Sequence, residues 1–196
     1  MKRCYTEAVE KYQPDNHTKM IPEQLGGCKT ALEEDIARYQ KISKKGNAPR
    51  FQKYFRKSQN AKNRLSLYWN RLLFAYYKKA NLIDLYYQTK IGPGLYIGHP
   101  YCISINKDAV IGSYCNIHKG VTIGQENRGK RKGTPKIGNR VWIGVNATVV
   151  GNITIGDDVL IAPNSYVNCD VPSHSIVLGN PCIIKPSENA TQGYIN

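Results

Sequence analysis

A chain of 196 residues with a formal net charge of +14 is long enough for one sizeable domain plus an appendage, and it carries a charge excess that needs a location. No stretch approaches about 18 uninterrupted apolar residues, and Met1-Lys2-Arg3 leads into a polar segment, so neither a membrane span nor a secretory leader is expected and the cytoplasm is the expected compartment. Six cysteines, at positions 4, 28, 102, 115, 169 and 182, lack C-x-x-C spacing, which speaks against a zinc site and a disulfide framework.

The charge excess belongs to the N-terminal part, because residues 1–90 hold 19 Lys or Arg against 8 Asp or Glu. Residues 1–28, with Pro14, Pro22 and Gly26-Gly27, read as extended or weakly ordered. Thr30 followed by Glu33 reads as a capping box, and Leu32, Ile36, Tyr39 and Ile42 then follow helical spacing as far as Gly46 and Pro49. Arg50 to Lys57 reads as a short second helix. In a third, Leu65, Tyr68, Trp69, Leu72, Leu73, Tyr76 and Tyr77 form one apolar stripe among Arg64, Arg71, Lys78 and Lys79. Such a stripe is expected to pack against the rest of the protein; contact with a lipid surface is the lesser alternative, and nucleic acid is not an expected partner. A basic helical segment over residues 1–80 is thus expected to precede a second unit over 81–196.

That second unit repeats every six residues. Aliphatic residues open units at Ile91, Ile97, Ile105, Ile111, Ile117, Ile123, Ile137, Ile143, Val149, Ile155, Ile161 and Val167, with small or β-branched residues at the fifth position, such as Ala109, Val121, Ala147 and Ser165. Two steps break the period: two residues are added between Ile97 and Ile105, and eight between Ile123 and Ile137. A strict short period marks a solenoid of one strand and one turn per unit, with three units to a coil and the first and fifth positions inward. Sandwich strands recur at about 8 to 12 residues instead.

Lys90 to His99, Val121 to Gly124, Thr134 to Gly138 and Gly179 to Lys185 resemble the hexapeptide-repeat acyltransferases, and within them the serine O-acetyltransferases and related enzymes that O-acetylate surface polysaccharides. The resemblance spans Asp84 to Lys185, about half the chain, and implies a mainly β fold, a left-handed parallel β-helix, behind a short α-helical segment.

His99 lies where the period slips, a place where a side chain can be presented instead of packed. Attack of a neutral hydroxyl on a thioester needs a base, and imidazole, with a pKa of about 6.5, suits neutral pH. The resemblance implies that role for His99, with Asp84 orienting it. His118, one coil on, is a candidate to touch the acceptor or stack beneath the base, whereas serine acetyltransferases have an aliphatic residue there. His17 and His174 read as surface residues. The inserted segment 125–136 reads as a flap whose Arg128, Lys130, Arg131, Lys132 and Lys136 suit phosphates or an anionic acceptor. The resemblance implies acetyl-coenzyme A as donor, its arm lying along the coils between subunits of a homotrimer. Backbone at Gly124, Gly144, Val145, Ala162 and Pro163 would line that groove, and Lys185 would meet the nucleotide phosphates.

The expected function is therefore acetyl transfer to a hydroxyl, without a metal. The resembled serine enzymes place an acidic residue just before the histidine and a second histidine just before Pro-Lys-Ile, where this chain has Gly98 and Thr134. Losing partners for an ammonium and a carboxylate disfavours an amino acid. A sugar or surface-glycan precursor met by Tyr101, His118 and Thr134 is the expected acceptor, with serine as the alternative and a non-catalytic binding module as the second alternative. A zinc carbonic anhydrase on this fold would need three metal histidines, which the histidine spacing does not supply.

Overall fold

The computed structural model describes residues 30–42 and 46–195, so the expectation for residues 1–28 lies outside the described residues. Helix α1 (Ala31–Ile42) begins with the expected capping box: the Thr30 N–H donates to Glu33 Oε2 at 2.7 Å, and the Glu33 N–H donates to Thr30 Oγ1 at 3.3 Å. Helices α2 (Arg50–Gln59) and α3 (Arg64–Ala80) form a hairpin; Asn63 caps α3 by accepting from the Ser66 N–H at 2.8 Å.

Short strands then follow in chain order: β1 (Lys90–Ile91), β2 (Tyr96–Gly98), β3 (Ser104–Ile105), β4 (Val110–Ile111), β5 (Asn116–His118), β6 (Thr122–Gly124), β7 (Lys136–Ile137), β8 (Trp142–Ile143), β9 (Thr148–Val150), β10 (Thr154–Ile155), β11 (Val159–Ile161), β12 (Tyr166–Val167), β13 (Ser175–Leu178) and β14 (Ile183–Pro186). They stack into the three walls of a parallel solenoid, in the orders β1-β4-β7-β10, β14-β13-β11-β8-β5-β2 and β12-β9-β6-β3. Each unit-opening residue stands over its equivalent: Ile91, Ile111, Ile137 and Ile155 pair in register, as do Ile97, Ile117, Ile143 and Ile161. Those residues, with Val121, Val141, Ala147 and Val159 at the fifth positions, fill the interior and are buried. Register alone therefore fixes the core, since a slip of one residue would turn every inward aliphatic outward. The corners are equally tight, for a β-carbon on Gly138 would lie 2.8 Å from the carbonyl carbon of Gly156 in the next coil.

A solenoid leaves the main-chain groups of its first coil unpaired, and an open strand edge is a liability. Helices α1 and α2 close that edge with buried polar side chains. Arg56 donates to the carbonyls of Ile91 at 2.7 Å and Gly92 at 2.6 Å; Gln52 donates to that of Leu95 at 2.9 Å. The Leu95 N–H donates to Asp35 Oδ1 and the Ile97 N–H to the Tyr39 hydroxyl, each at 2.8 Å, while Arg38 donates to the Gly94 and Cys115 carbonyls. The far end is closed by β14, antiparallel to β13.

Two helix faces differ from expectation. On α1 the buried residues are Asp35, Arg38 and Tyr39, and Ile42 is exposed, because this helix meets a row of peptide groups and not an apolar surface. On α3 the buried residue is Phe74, packed on Phe55, while Leu65, Tyr68, Trp69, Leu72 and Tyr76 face outward. Of the expected packing stripe, Tyr77 does pack, stacked on Tyr54 of α2 at 5.5 Å, whereas these five residues lie on the face turned away from α2.

Candidate active site

The corner after β2 holds His99. Its two added residues give it a backbone that later coils lack: His99 adopts φ 53°, in the left-handed region, and Cys102 follows at φ 53°. The next coils place a single left-handed residue at this corner, Gly120, Asn146 and Asn164. Left-handed backbone at a residue with a Cβ costs free energy and persists only where the surroundings impose it. Here the corner is pinned on both sides, by the Lys119 N–H to the Gly98 carbonyl at 3.2 Å and by the Cys102 N–H to the Asn81 carbonyl at 3.1 Å. The His99 side chain is left exposed, beside the half-exposed ring of Tyr101.

His118 lies directly beneath, because Gly98 and His118 are register partners. A β-carbon on residue 98 would stand 2.6 Å from Cε1 and Nδ1 of the His118 ring, so glycine at 98 is what lets that ring sit there. The ring also tilts against Trp142 at 4.7 Å, and Trp142 meets Tyr194 edge-on at 5.0 Å. His118 Nε2 is buried without a hydrogen-bond partner in the described residues. Burial pushes the His118 pKa below the usual histidine range, and the neighbouring His99 charge pushes in the same direction. Burial thus favours the neutral form of the His118 ring.

Continuing down the same edge, the pairing of Ile117 with Ile143 and of Ile143 with Ile161 carries the column from His118 to Gly144 and then to Ala162, with Val145 and Pro163 next to them. Five of the expected site residues thus lie along one edge beneath His99. Their ladder bonds are made, the Gly144 N–H to Ile161 and the Ala162 N–H to Val177. Lys185 is exposed on β14, at the far end of the same sheet, five strand spacings or about 24 Å from β2.

The single chain does not bring the others to this edge. Gly124 and Thr134 sit at the next corner, between β6 and β7, where the Thr134 hydroxyl donates to the Asp108 carbonyl at 3.1 Å. The insertion 125–133 loops out there, with Glu126 and Gly133 exchanging both backbone hydrogen bonds at 3.0 Å and Arg131 paired with Glu126 at 3.2 Å. Asp84 forms an extra rung above Ser104 and accepts from its hydroxyl at 3.5 Å. Among the described residues no hydrogen bond or ion pair joins Asp84 to His99. Trp142, which packs on His118, and Tyr194, which packs on Trp142, are not singled out by the sequence. Trp142 could have been, since it precedes Ile143 at the same outward position that Asn116 holds before Ile117.

Residues 134–169 match the family described as bacterial transferase hexapeptide (six repeats). A serine acetyltransferase of Synechococcus elongatus is 37% identical over 99 residues, covering 50% of this chain and 41% of that protein, and one of Helicobacter pylori is 40% identical over 98 residues, covering 50% and 57%. The chain therefore spans about half the length of the curated relatives it matches. Among solved structures, the soybean serine acetyltransferase apoenzyme aligns with TM-score 0.67 and 25% identity over 79% of this chain and 67% of that one. Serine acetyltransferase of Neisseria gonorrhoeae in complex with serine aligns with TM-score 0.61 and 26% identity over the same shares, 79% and 67%. This chain is thus a left-handed parallel β-helix with hexapeptide repeats over residues 134–169, and its fold is similar to that of the serine acetyltransferases.

Proposed function

We propose that this chain transfers an acetyl group from acetyl-coenzyme A to a hydroxyl, with His99 as general base. The observation that carries the reading is the pinned left-handed corner that presents an exposed imidazole above a register-aligned column of His118, Gly144 and Ala162. The ring of His99 removes the hydroxyl proton as the oxygen attacks the thioester carbonyl. The tetrahedral intermediate collapses with loss of the coenzyme A thiolate, which recovers the proton from the imidazolium. A neutral His118 beneath favours that cycle by adding no second positive charge. Asp84 serves as the orienting carboxylate when it turns from Ser104 toward His99.

Backbone at Gly144, Val145, Ala162 and Pro163 then borders the donor's arm, with Lys185 toward its phosphates. Gly124 and Thr134, on a different edge, complete the site from a neighbouring subunit of a homotrimer. Light scattering at micromolar concentration tests this assembly, and a monomer would defeat the two-sided groove.

For the acceptor, the named relatives support L-serine better than the carbohydrate expected from the sequence. The carbohydrate reading stands second and rests on one observation: the His118 ring occupies the space that a carboxylate side chain at position 98 would need. Steady-state turnover with L-serine and with sugars separates the two readings. Thermal stabilisation by coenzyme A separates either from a non-catalytic binding module, which would show no shift at millimolar ligand.

A further inference from the structure

The outward face of α3 is unlike any other surface of the described chain. Five of its large apolar side chains are exposed, Leu65 by 68%, Tyr68 by 58%, Trp69 by 56%, Leu72 by 44% and Tyr76 by 70%. At 3.6 residues per turn they fall within an arc of about 100°, opposite the Phe74 that anchors the helix to Phe55. A contiguous apolar patch of this kind marks an interaction surface. The helix itself carries only basic charge: no Asp or Glu occurs between Asp35 and Asp84, while Lys62, Arg64, Arg71 and Lys79 stand exposed along and beside α3.

We propose that α3 lies flat on an anionic membrane surface, its Tyr68, Trp69, Leu72 and Tyr76 entering the headgroup boundary and its flanking Lys and Arg meeting anionic headgroups. Charge complementarity selects this occupant. A second copy placed face to face would bring two carboxylate-free basic surfaces together, so like charges would oppose that pairing. Nucleic acid would meet the cations and aromatics but leave Leu65 and Leu72 without a partner. A headgroup boundary satisfies all three: it takes aliphatic side chains, it favours amphipathic Trp and Tyr, and it carries negative charge. The helix lies on the surface and does not cross it, as no helix among the described residues is long and apolar enough to span a membrane.

Co-sedimentation of the full chain with phosphatidylcholine vesicles, with and without about 30% phosphatidylglycerol, tests the proposal. Binding to the anionic vesicles is expected to exceed that to neutral ones by at least about tenfold in ~0.1 M salt and to fall steeply as salt rises. The double variant Trp69→Ser and Tyr76→Ser should lose binding by on the order of tenfold while keeping its far-ultraviolet circular dichroism, because both side chains are exposed. Arg64→Gln with Lys79→Gln should flatten the salt dependence. No difference between the two vesicle types would overturn the proposal. So would a serine variant that retains vesicle binding but dissociates an oligomer in sedimentation velocity, since that result assigns the face to a second copy.

Discussion

Gly98 and His118 share one position in space: they pair in register, and the imidazole lies where the side chain of any larger residue at 98 would begin. The acidic residue implied before the histidine in the resembled serine enzymes would therefore force this histidine ring to move.

A coupling experiment follows. Gly98→Asp alone should destabilise the chain by about 1–3 kcal/mol, the usual penalty for overpacking, and should lower turnover. Combining it with His118→Leu should recover part of the stability, giving a favourable interaction of roughly 0.5–3 kcal/mol in a double-mutant cycle. The doubly substituted chain should also use serine better than either single variant. Additive effects in urea denaturation would show that the two positions do not compete.

The buried pair Asp35 and Arg56 should dominate the stability of the helical cap. Arg56 Nε meets Asp35 Oδ2 at 2.8 Å with both side chains buried, and each also bonds the open edge of the first coil. Arg56→Leu leaves the buried Asp35 carboxylate without its cation, with the Gln52 amide and the Leu95 N–H as its remaining donors, and strips two edge carbonyls of theirs, at an expected cost of about 3–5 kcal/mol. Urea denaturation should show that loss at low and at high salt alike, because solvent ions do not reach the pair. A loss under about 1 kcal/mol would mean that the cap contributes little.

Stability should depend on pH through His118. Its folded pKa lies below the ordinary value of about 6.5, so between the two the unfolded chain binds more protons than the native one. Stability from this group is present above that range and lost as pH falls through it. A second loss is expected below the usual aspartate range. Burial pushes the Asp158 carboxyl up, but hydrogen bonds from Thr191, His174 and Ala190 outweigh it and hold the group low. Thermal melting across pH should therefore show two declines, and His118→Gln should remove the one nearer neutrality. An unchanged profile in that variant would contradict the assignment.

Thiol labelling should sort the cysteines near the end of the solenoid. Cys169 and Cys182 have their sulfurs 3.7 Å apart and share a hydrogen bond, which pulls the Cys182 thiol down to about 7 and pushes Cys169 up. Burial pushes Cys115 up to about 12. Iodoacetamide at neutral pH should therefore modify Cys182 well before Cys169 and leave Cys115 intact in the native protein, as read by peptide mass spectrometry. Faster labelling of Cys169 would reverse the proton assignment.

The solenoid was legible because one rule, an aliphatic residue every sixth position, is imposed by stacking at every rung from Ile91 to Val167. The exposed corner at His99 is legible for the converse reason, as a break in that rule. What side-chain periodicity could not reveal was a demand made by the main chain: the open edge of the first coil calls for Asp35, Arg38, Gln52 and Arg56, none of which belongs to an apolar stripe. Periodicity also finds an apolar face without saying what covers it, so it does not separate Tyr77 of α3, which packs on Tyr54, from Leu65, Tyr68, Trp69, Leu72 and Tyr76, which stand exposed. The separation of Thr134 and Gly124 from His99 was available by counting, since they follow a unit that opens at Ile123, one wall on from the unit at Ile117.

Release of free thiol from acetyl-coenzyme A, followed for the unaltered chain and for His99→Ala with L-serine and with a panel of sugars and oligosaccharides, tests acetyl transfer by His99 most directly. Acceptor-dependent release is expected for the unaltered chain and should fall by about 10²- to 10⁴-fold in His99→Ala, while coenzyme A still raises the melting temperature of both. Turnover of His99→Ala above a tenth of the unaltered rate, or no acceptor-dependent release from a chain that binds coenzyme A, would contradict it.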